Sequence, residues 1–359
     1  MGLCFLLILF KVFMKSIIKK TVIPSVSSSP VESPQKGNWD LVDIRNLSLV
    51  YTLAGVDCID CAAEASVVNA VNEGIEAARA LVPIRRPWVM ISVNDDEDLH
   101  FRKAEFDPDD CPQDCLRPSE NVCPANAILR KGGVLAERCY GCGRCLPVCP
   151  YDKIRAITYV RNNTATAELL ERDDVDAIEI HTSGREPSVF KELWTGLGNS
   201  TANLKLVAVS FPDLRDSTIS AMKAMYSILE ANIQCINLWQ LDGQPMSGDI
   251  VRGATRDAIA FARKIGFLQL AGGANGHTVE GLKKERLFRT TTMHEASRYE
   301  TIPSTLHSPN ALIAGIVGRV LSSVQSHHGL ARVEDFPEQL LQAIIESLAL
   351  VGTVKCFNI

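Results

Sequence analysis

The chain has 359 residues, 46% of them hydrophobic and 22% charged, with twelve cysteines and a formal net charge of −5. This is the composition of a folded globular protein, long enough for one large domain with an insertion or for two domains. The negative balance argues against nucleic acid as a general partner, and the dense cysteines imply a reducing compartment where thiols persist.

Residues 1–38 read as a targeting segment and linker. Leu3 to Phe10 is apolar, but eight residues fall far short of the roughly 20 that cross a bilayer, so no membrane span is expected. Lys11, Lys15, Lys19 and Lys20 follow the apolar run, whereas a secretory signal places its basic residues first. No acidic residue occurs before Glu32, and serines cluster at Ser25 and Ser27 to Ser29. That pattern suggests an organelle transit peptide, although arginine is absent and the start is unusually apolar; a variant amino terminus is the alternative. The Pro/Ser-rich residues 21–38 form the linker.

Residues 39–104 read as the first part of an α/β domain. Leu41, Ile44, Leu47 and Leu49 recur at near-helical steps up to Leu53, and Gly55 closes the helix. A short strand follows, containing Cys58 and Cys61. Residues three apart on a strand point to opposite faces, so this pair reads as ordinary buried cysteines. A helix from Glu64 to Leu81 leads to a buried strand, Pro87 to Asn94. The run Asp95, Asp96, Glu97, Asp98 then reads as an exposed acidic turn.

Residues 105–160 read as an inserted module. Cys139, Cys142, Cys145 and Cys149-Pro150 form the C-x2-C-x2-C-x3-C-P run of bacterial ferredoxins, a spacing made for an iron–sulfur cluster and not for zinc or a disulfide framework. Upstream lie Cys111, Cys115 and Cys123-Pro124. After Cys123 comes Pro-Ala-Asn-Ala-Ile128, and after Cys149 comes Pro-Tyr-Asp-Lys-Ile154, the internal echo of a duplicated ferredoxin-like module. Crossed ligation assigns Cys123, Cys139, Cys142 and Cys145 to one 4Fe-4S cluster. A second set, Cys111, Cys115 and Cys149, meets Ser119 where steps of four from Cys111 demand a thiolate. A hydroxyl is a harder, less acidic ligand. The second site is left with a three-iron cluster, a labile four-iron cluster, or none.

Residues 161–305 resume the alternation. Helices are expected near 165–172, up to Leu197, at 216–230 and at 249–265, and strands at 176–181, 204–211, 235–242 and 266–271. Repeated strand–helix units imply parallel strands, either an incomplete TIM-barrel-like arc or a doubly wound sheet. Glu179 with His181, Ser92 with Asn94, Ser210, and Gln240 with Asp242 fall near the carboxyl ends of their strands, where α/β sites form. Glu179, His181, Gln240 and Asp242 are the candidate acid/base and positioning groups there. The loop Ala271 to His277 is glycine-rich, a weak phosphate signal. Residues 306–359 read as a helical region, with helices at 311–323 and 337–351 and His327-His328 in a loop.

From about Leu41 the chain resembles the light-dependent period family (LdpA), iron–sulfur proteins of cyanobacteria with plant plastid relatives. The stretch Arg45 to Asp60, the two cysteine runs and Leu268 to His277 carry the resemblance. It implies a redox-responsive iron–sulfur protein, feeding light or redox state into the circadian clock in cyanobacteria, with a plastid location in plants. The family pattern has a strand with a Cys-Gly-Ala-Ser stretch before the first helix. Here that helix follows the linker directly, so a bare sheet edge is expected. The other departure is Ser119.

The leading expectation is a redox sensor or electron-transfer component. Between residues 127 and 161, Arg130, Lys131, Arg138, Arg144, Lys153, Arg155 and Arg161 face only Glu137 and Asp152, a surplus of five positive charges. Such a surface suits an acidic redox partner protein. The alternative is an iron–sulfur oxidoreductase with an organic substrate or flavin at the mouth of the α/β domain.

Overall fold

Strands and helices alternate in the order that the hydrophobic periodicity predicts. The computed structural model describes residues 9–11, 39–98, 101–112, 114–123, 125–129, 132–136, 138–141, 143–230, 233, 235–242, 269–270, 324 and 331–354. The stretches 249–265, 271–277 and 311–323, His327-His328, and Cys142 lie outside the described residues.

Strand β1 is Leu9–Lys11, followed by helix α1 (Trp39–Leu53), β2 (Cys58–Ala62), α2 (Ala65–Leu81) and β3 (Trp88–Asn94). The inserted segment holds β4 (Arg102–Glu105), α3 (Pro118–Val122), β5 (Ile128–Leu129), β6 (Gly133–Val134) and β7 (Arg155–Thr158). Then come α4 (Asn163–Leu170), β8 (Ala177–His181), α5 (Pro187–Leu197), β9 (Leu206–Pro212), α6 (Thr218–Glu230), β10 (Ile236–Asp242), β11 (Gln269–Leu270) and α7 (Pro337–Val354).

The main sheet is parallel throughout, in the order β1-β2-β3-β8-β9-β10-β11. Its body is β2, β3, β8, β9 and β10, with the short β1 and β11 beside it. Spatial order follows chain order and does not reverse among the described strands, as it does in a doubly wound sheet. The edge expected to be bare carries β1, whose Leu9, Phe10 and Lys11 pair with Cys58, Ile59 and Asp60. Strands β4 and β7 pair antiparallel from Arg102 with Thr158 to Glu105 with Arg155, forming a two-stranded stem.

Alternation along the strands sorts the two faces. Ile59, Cys61, Val89, Ile91, Val93, Ile178, Ile180, Val207, Val209 and Phe211 pack with the helices in the large core. On the other face Cys58, Met90, Ala177, Leu206 and Ala208 form a small apolar cluster near the amino ends. Cys58 and Cys61 are thus buried on opposite faces, as the strand period requires, and burial raises both thiols well above their ordinary range.

Two contacts fix the helical layer. Helices α1 and α2 cross at Gly74, where an added Cβ would lie 2.1 Å from the Arg45 carbonyl oxygen. Arg45, 4% exposed, reaches Glu334 with both terminal nitrogens. Beside it, the Asn46 amide donates to the Ala331 carbonyl at 3.0 Å and accepts from the Val333 N–H at 3.3 Å. These bonds seat the segment before α7 against α1. At the amino ends of the strands Asp176 takes Arg86 (2.6 Å), Lys205 (2.5 Å) and the Val89 N–H (2.9 Å), and these donors hold its carboxyl below the usual range against the effect of burial.

Candidate cofactor-binding site

The cysteine segment is built from two copies of one turn. Asn126 and Asp152 each stand three residues after a closing cysteine, with left-handed φ of 47° and 50°. Asn and Asp tolerate this region better than other residues with a Cβ. Each N–H returns to the cysteine carbonyl at 3.3 Å, Asn126 to Cys123 and Asp152 to Cys149. The next N–H then points at sulfur: Ala127 donates to Cys123 Sγ at 3.2 Å and Lys153 to Cys149 Sγ at 3.3 Å. Ile128 and Ile154, the closing residues of the two echoes, are both buried and pack with Cys145.

Other cysteines receive similar donors. Ala104 of β4 donates its N–H to Cys139 Sγ, and Arg117 to Cys115 Sγ, each at 3.4 Å. Burial, then the neighbouring Cys139 and Cys123, push the Cys145 thiol up to about 12. Burial and then Cys115 raise Cys111, which also feels Cys149. At Cys149 burial acts upward, but the N–H groups of Lys153, Tyr151, Ile154 and Asp152 outweigh it and lower the thiol. Cys145 therefore lies near Cys139 and Cys123, with a smaller influence from Cys149, and Cys111 lies near Cys115 and Cys149. Ser119, 6% exposed and second in α3, donates its hydroxyl to the Cys145 carbonyl at 3.2 Å.

These residues fit an iron–sulfur group by their donor chemistry. The described cysteines are free, and four backbone N–H groups aim at sulfur, an arrangement that favours the thiolate form a metal needs. Cys142 lies outside the described residues, and among those described no three Cys, His or carboxylate side chains close on one point as a ready-made cage.

Above the stem, the sheet's carboxyl edge carries a buried polar chain. Ser92 Oγ lies 2.6 Å from Asp60 Oδ1 and 2.8 Å from Glu179 Oε2. His181 Nε2 lies 3.3 Å from Glu179 Oε1, and its Nδ1 lies 3.1 Å from Asp98 Oδ2. Asp60, Ser92, Glu179, His181 and Asp98 are all at most 8% exposed. The structure thus brings Glu179 and His181 together, but seals them under Phe101, whose ring meets His181 edge-on at 5.1 Å. Gln240 and Asp242 stand in register with Ser210 and Pro212; their side chains lie outside the described residues. The acidic run is not an exposed turn, because Asp95 and Asp98 are 4% and 7% exposed. Burial lifts Asp95 to about 6, moderated by hydrogen bonds from Thr182 and Ser183.

Sequence reasoning missed Asp60 and Asp98 as members of this chain. Asp60 was findable, since it shares the strand face of Cys58 that points away from the helices.

The stem ties chain and cysteines together. Glu64, at the start of α2, takes Lys103 of β4 at 2.9 Å and Arg161, with the Tyr159 hydroxyl at 3.5 Å. Asn94 donates to the Tyr159 carbonyl at 2.7 Å and accepts from the Arg161 N–H at 3.3 Å. A cleft of about 850 Å³ runs along this junction, lined by Glu64, Lys103, Ala104, Tyr159 and Arg161 among others.

Residues 111–160 match the LdpA Fe-S cluster-binding domain, and residues 169–353 match the Light dependent period A C-terminal domain. "Light dependent period A" of Synechococcus elongatus is 38% identical over 348 residues, covering 92% of this chain and 94% of that protein. The chain belongs to the light-dependent period A family. Within this LdpA relative of the cyanobacterial protein, a short stretch is also similar to "Electron transport protein HydN" of Escherichia coli K12. That likeness is 42% identity over 53 residues, 13% of this chain and 30% of HydN. The LdpA cluster-binding match spans the paired turns and all seven cysteines of the insertion. No helix among the described residues is long and apolar enough to cross a membrane.

Proposed function

We propose that this LdpA family member is a redox sensor or electron-transfer component whose working part is a cysteine-bound 4Fe-4S cluster in a ferredoxin-like module. The observation that carries the reading is the paired turn at Asn126 and Asp152, which aims successive N–H groups at Cys123 and Cys149. Cys123, Cys139, Cys142 and Cys145 hold the one full cluster; Cys111, Cys115 and Cys149, with Ser119 at the open corner, are left with a 3Fe-4S cluster, a labile 4Fe-4S cluster, or none. When bound, such a cluster supplies a one-electron couple. The protein's part is to keep the thiolates bonded to N–H donors, which favours the more negative, reduced state.

The module stands on a singly wound, barrel-like arc of strands, a reading supported by the unbroken strand order. Its docking face for an acidic redox partner centres on Arg138, Lys153 and Arg155, which are exposed. Arg161 belongs less to that face, since Glu64 engages it. A plastid location rests on the likeness to a cyanobacterial protein and on the acid-poor, serine-containing start.

The test is anaerobic reduction of the purified chain by a one-electron donor, followed by electron paramagnetic resonance. A reversible signal that disappears in Cys139→Ser supports the reading. A chain that binds zinc in place of iron and sulfide overturns it.

A further inference from the structure

Hydrogen counting in the buried chain leads to a second function of the sheet edge. Four contacts link Asp60, Ser92, Glu179, His181 and Asp98 in a row. His181 Nδ1 and Asp98 Oδ2 approach to 3.1 Å without hydrogen-bond geometry. Each of the other three contacts needs its own hydrogen, because two acceptors facing each other in a buried site repel. Ser92 supplies one and a neutral imidazole supplies one. The remaining one must reside on a carboxyl, so the bonded chain holds one proton more than three carboxylates with a neutral histidine, and carries a net charge of about −2.

We propose that this chain is a proton-binding site coupled to the redox state of the cysteine-bound group, an inference that rests on the iron–sulfur reading above. The physical link is short. Ala104 donates to Cys139 Sγ, and three residues back along the same extended segment, about 10 Å by strand geometry, Phe101 lies against His181. Tyr159 packs edge-on to Phe101 at 6.3 Å. An electron arriving at the cysteines adds negative charge on this side of the sheet, and in a poorly solvated interior that charge raises proton affinity.

The balance is one electron from a low-potential one-electron donor and one proton from solvent. The proton settles between Glu179 Oε1 and His181 Nε2, the longest of the four contacts and so the first to open. Oxidation returns both. The surrounding charges do not compensate within the chain itself. Asp95 faces it from the loop after β3, bonded to Thr182 and Ser183. Glu64 faces it from α2 with Lys103 and Arg161 bound to it, and Tyr159 faces it from the stem. Ser210 of β9 is uncharged, and Asp242 of β10 stands two residues further along, level with Pro212.

The experiment measures midpoint potential against pH on the full chain, purified anaerobically with its cluster. The potential is expected to fall as pH rises through neutrality, by at most about 59 mV per unit for one proton and one electron. Glu179→Gln and Asp60→Asn are expected to flatten that slope. Glu76→Gln, on the exposed face of α2, is expected to keep it. Infrared difference spectra of the reduced and oxidised protein should show a carboxyl change that Glu179→Gln removes. A pH-independent potential in the native chain overturns the proposal while leaving the cluster reading intact, and so does a slope that survives in both variants. A chain that assembles no redox-active cluster overturns both.

Discussion

Asn126 and Asp152 occupy equivalent corners of two copies of one turn, with φ of 47° and 50°, and each sets the next N–H on a cysteine sulfur. The left-handed backbone is the cause of that aim, so the residue type matters more than its side-chain contacts. Asn126→Gly is expected to leave iron binding unchanged. Asn126→Val forces a β-branched residue into a region that costs roughly 1–2 kcal/mol for ordinary L-residues. It should therefore shed iron faster under mild chelation. Equal iron retention in the two variants would contradict this role for the turn.

The crossing of α1 over α2 leaves no room for a methyl group. Gly74→Ala places a Cβ 2.1 Å from the Arg45 carbonyl oxygen, which is backbone and cannot swing aside. Overpacking of this kind typically costs about 1–3 kcal/mol. Urea denaturation should show the loss, and an unchanged midpoint would mean that the helices separate freely.

Arg45 and Glu334 hold the segment before α7. Removing Arg45 leaves the Glu334 carboxylate without its principal partner, and breaking such a partly buried pair typically costs about 3 kcal/mol or more. Arg45→Ala should therefore expose α7 to early proteolysis. Limited digestion that releases α7 no faster than from the native chain would count against this.

Two carboxyls give stability opposite pH dependences. Burial raises Asp95 to about 6, so its contribution is present below its ordinary value of 3.8 and fades as pH rises through about 6. Glu334 is lowered: burial opposes this, and Arg45 prevails. Its contribution is present above the ordinary value of 4.5 and is lost as pH falls below that value through its folded pKa. Asp95→Asn should raise stability at pH 7 relative to pH 4 when both are compared with the native chain. Parallel pH profiles for variant and parent would refute the assignment.

Much of this architecture was legible because its signals are local. Alternating apolar residues gave β3, β8, β9 and β10 to within two residues, and cysteine spacing gave the duplicated module. The misreadings share a different cause. Asp95 and Asp98 sit in a run of four acids that looks solvated, yet both are buried: Asp95 bonds to His181, Thr182 and Ser183 at the end of β8, and the Asp98 carbonyl accepts the Phe101 N–H at the foot of the stem. Asp60 stood unremarked between two cysteines, because its importance depends on β3 and β8 lying beside β2. The pairing of Leu9–Lys11 with β2 joins residues some fifty positions apart, and no local pattern announces it. Asn126 and Asp152 stand at matching places in the echoed segments after Cys123 and Cys149, but their service to sulfur emerges only with the backbone.

The central claim is that the insertion carries one full iron–sulfur site and one that is open at Ser119. Ser119 donates to the Cys145 carbonyl and supplies no thiolate to Cys111, Cys115 and Cys149. Iron and acid-labile sulfide, measured on the anaerobically purified chain and on Ser119→Cys, test this directly. About four irons per native chain and about eight in the variant are expected for clusters of the four-iron type. Eight stably bound irons in the native chain, or none in either protein, would contradict the account.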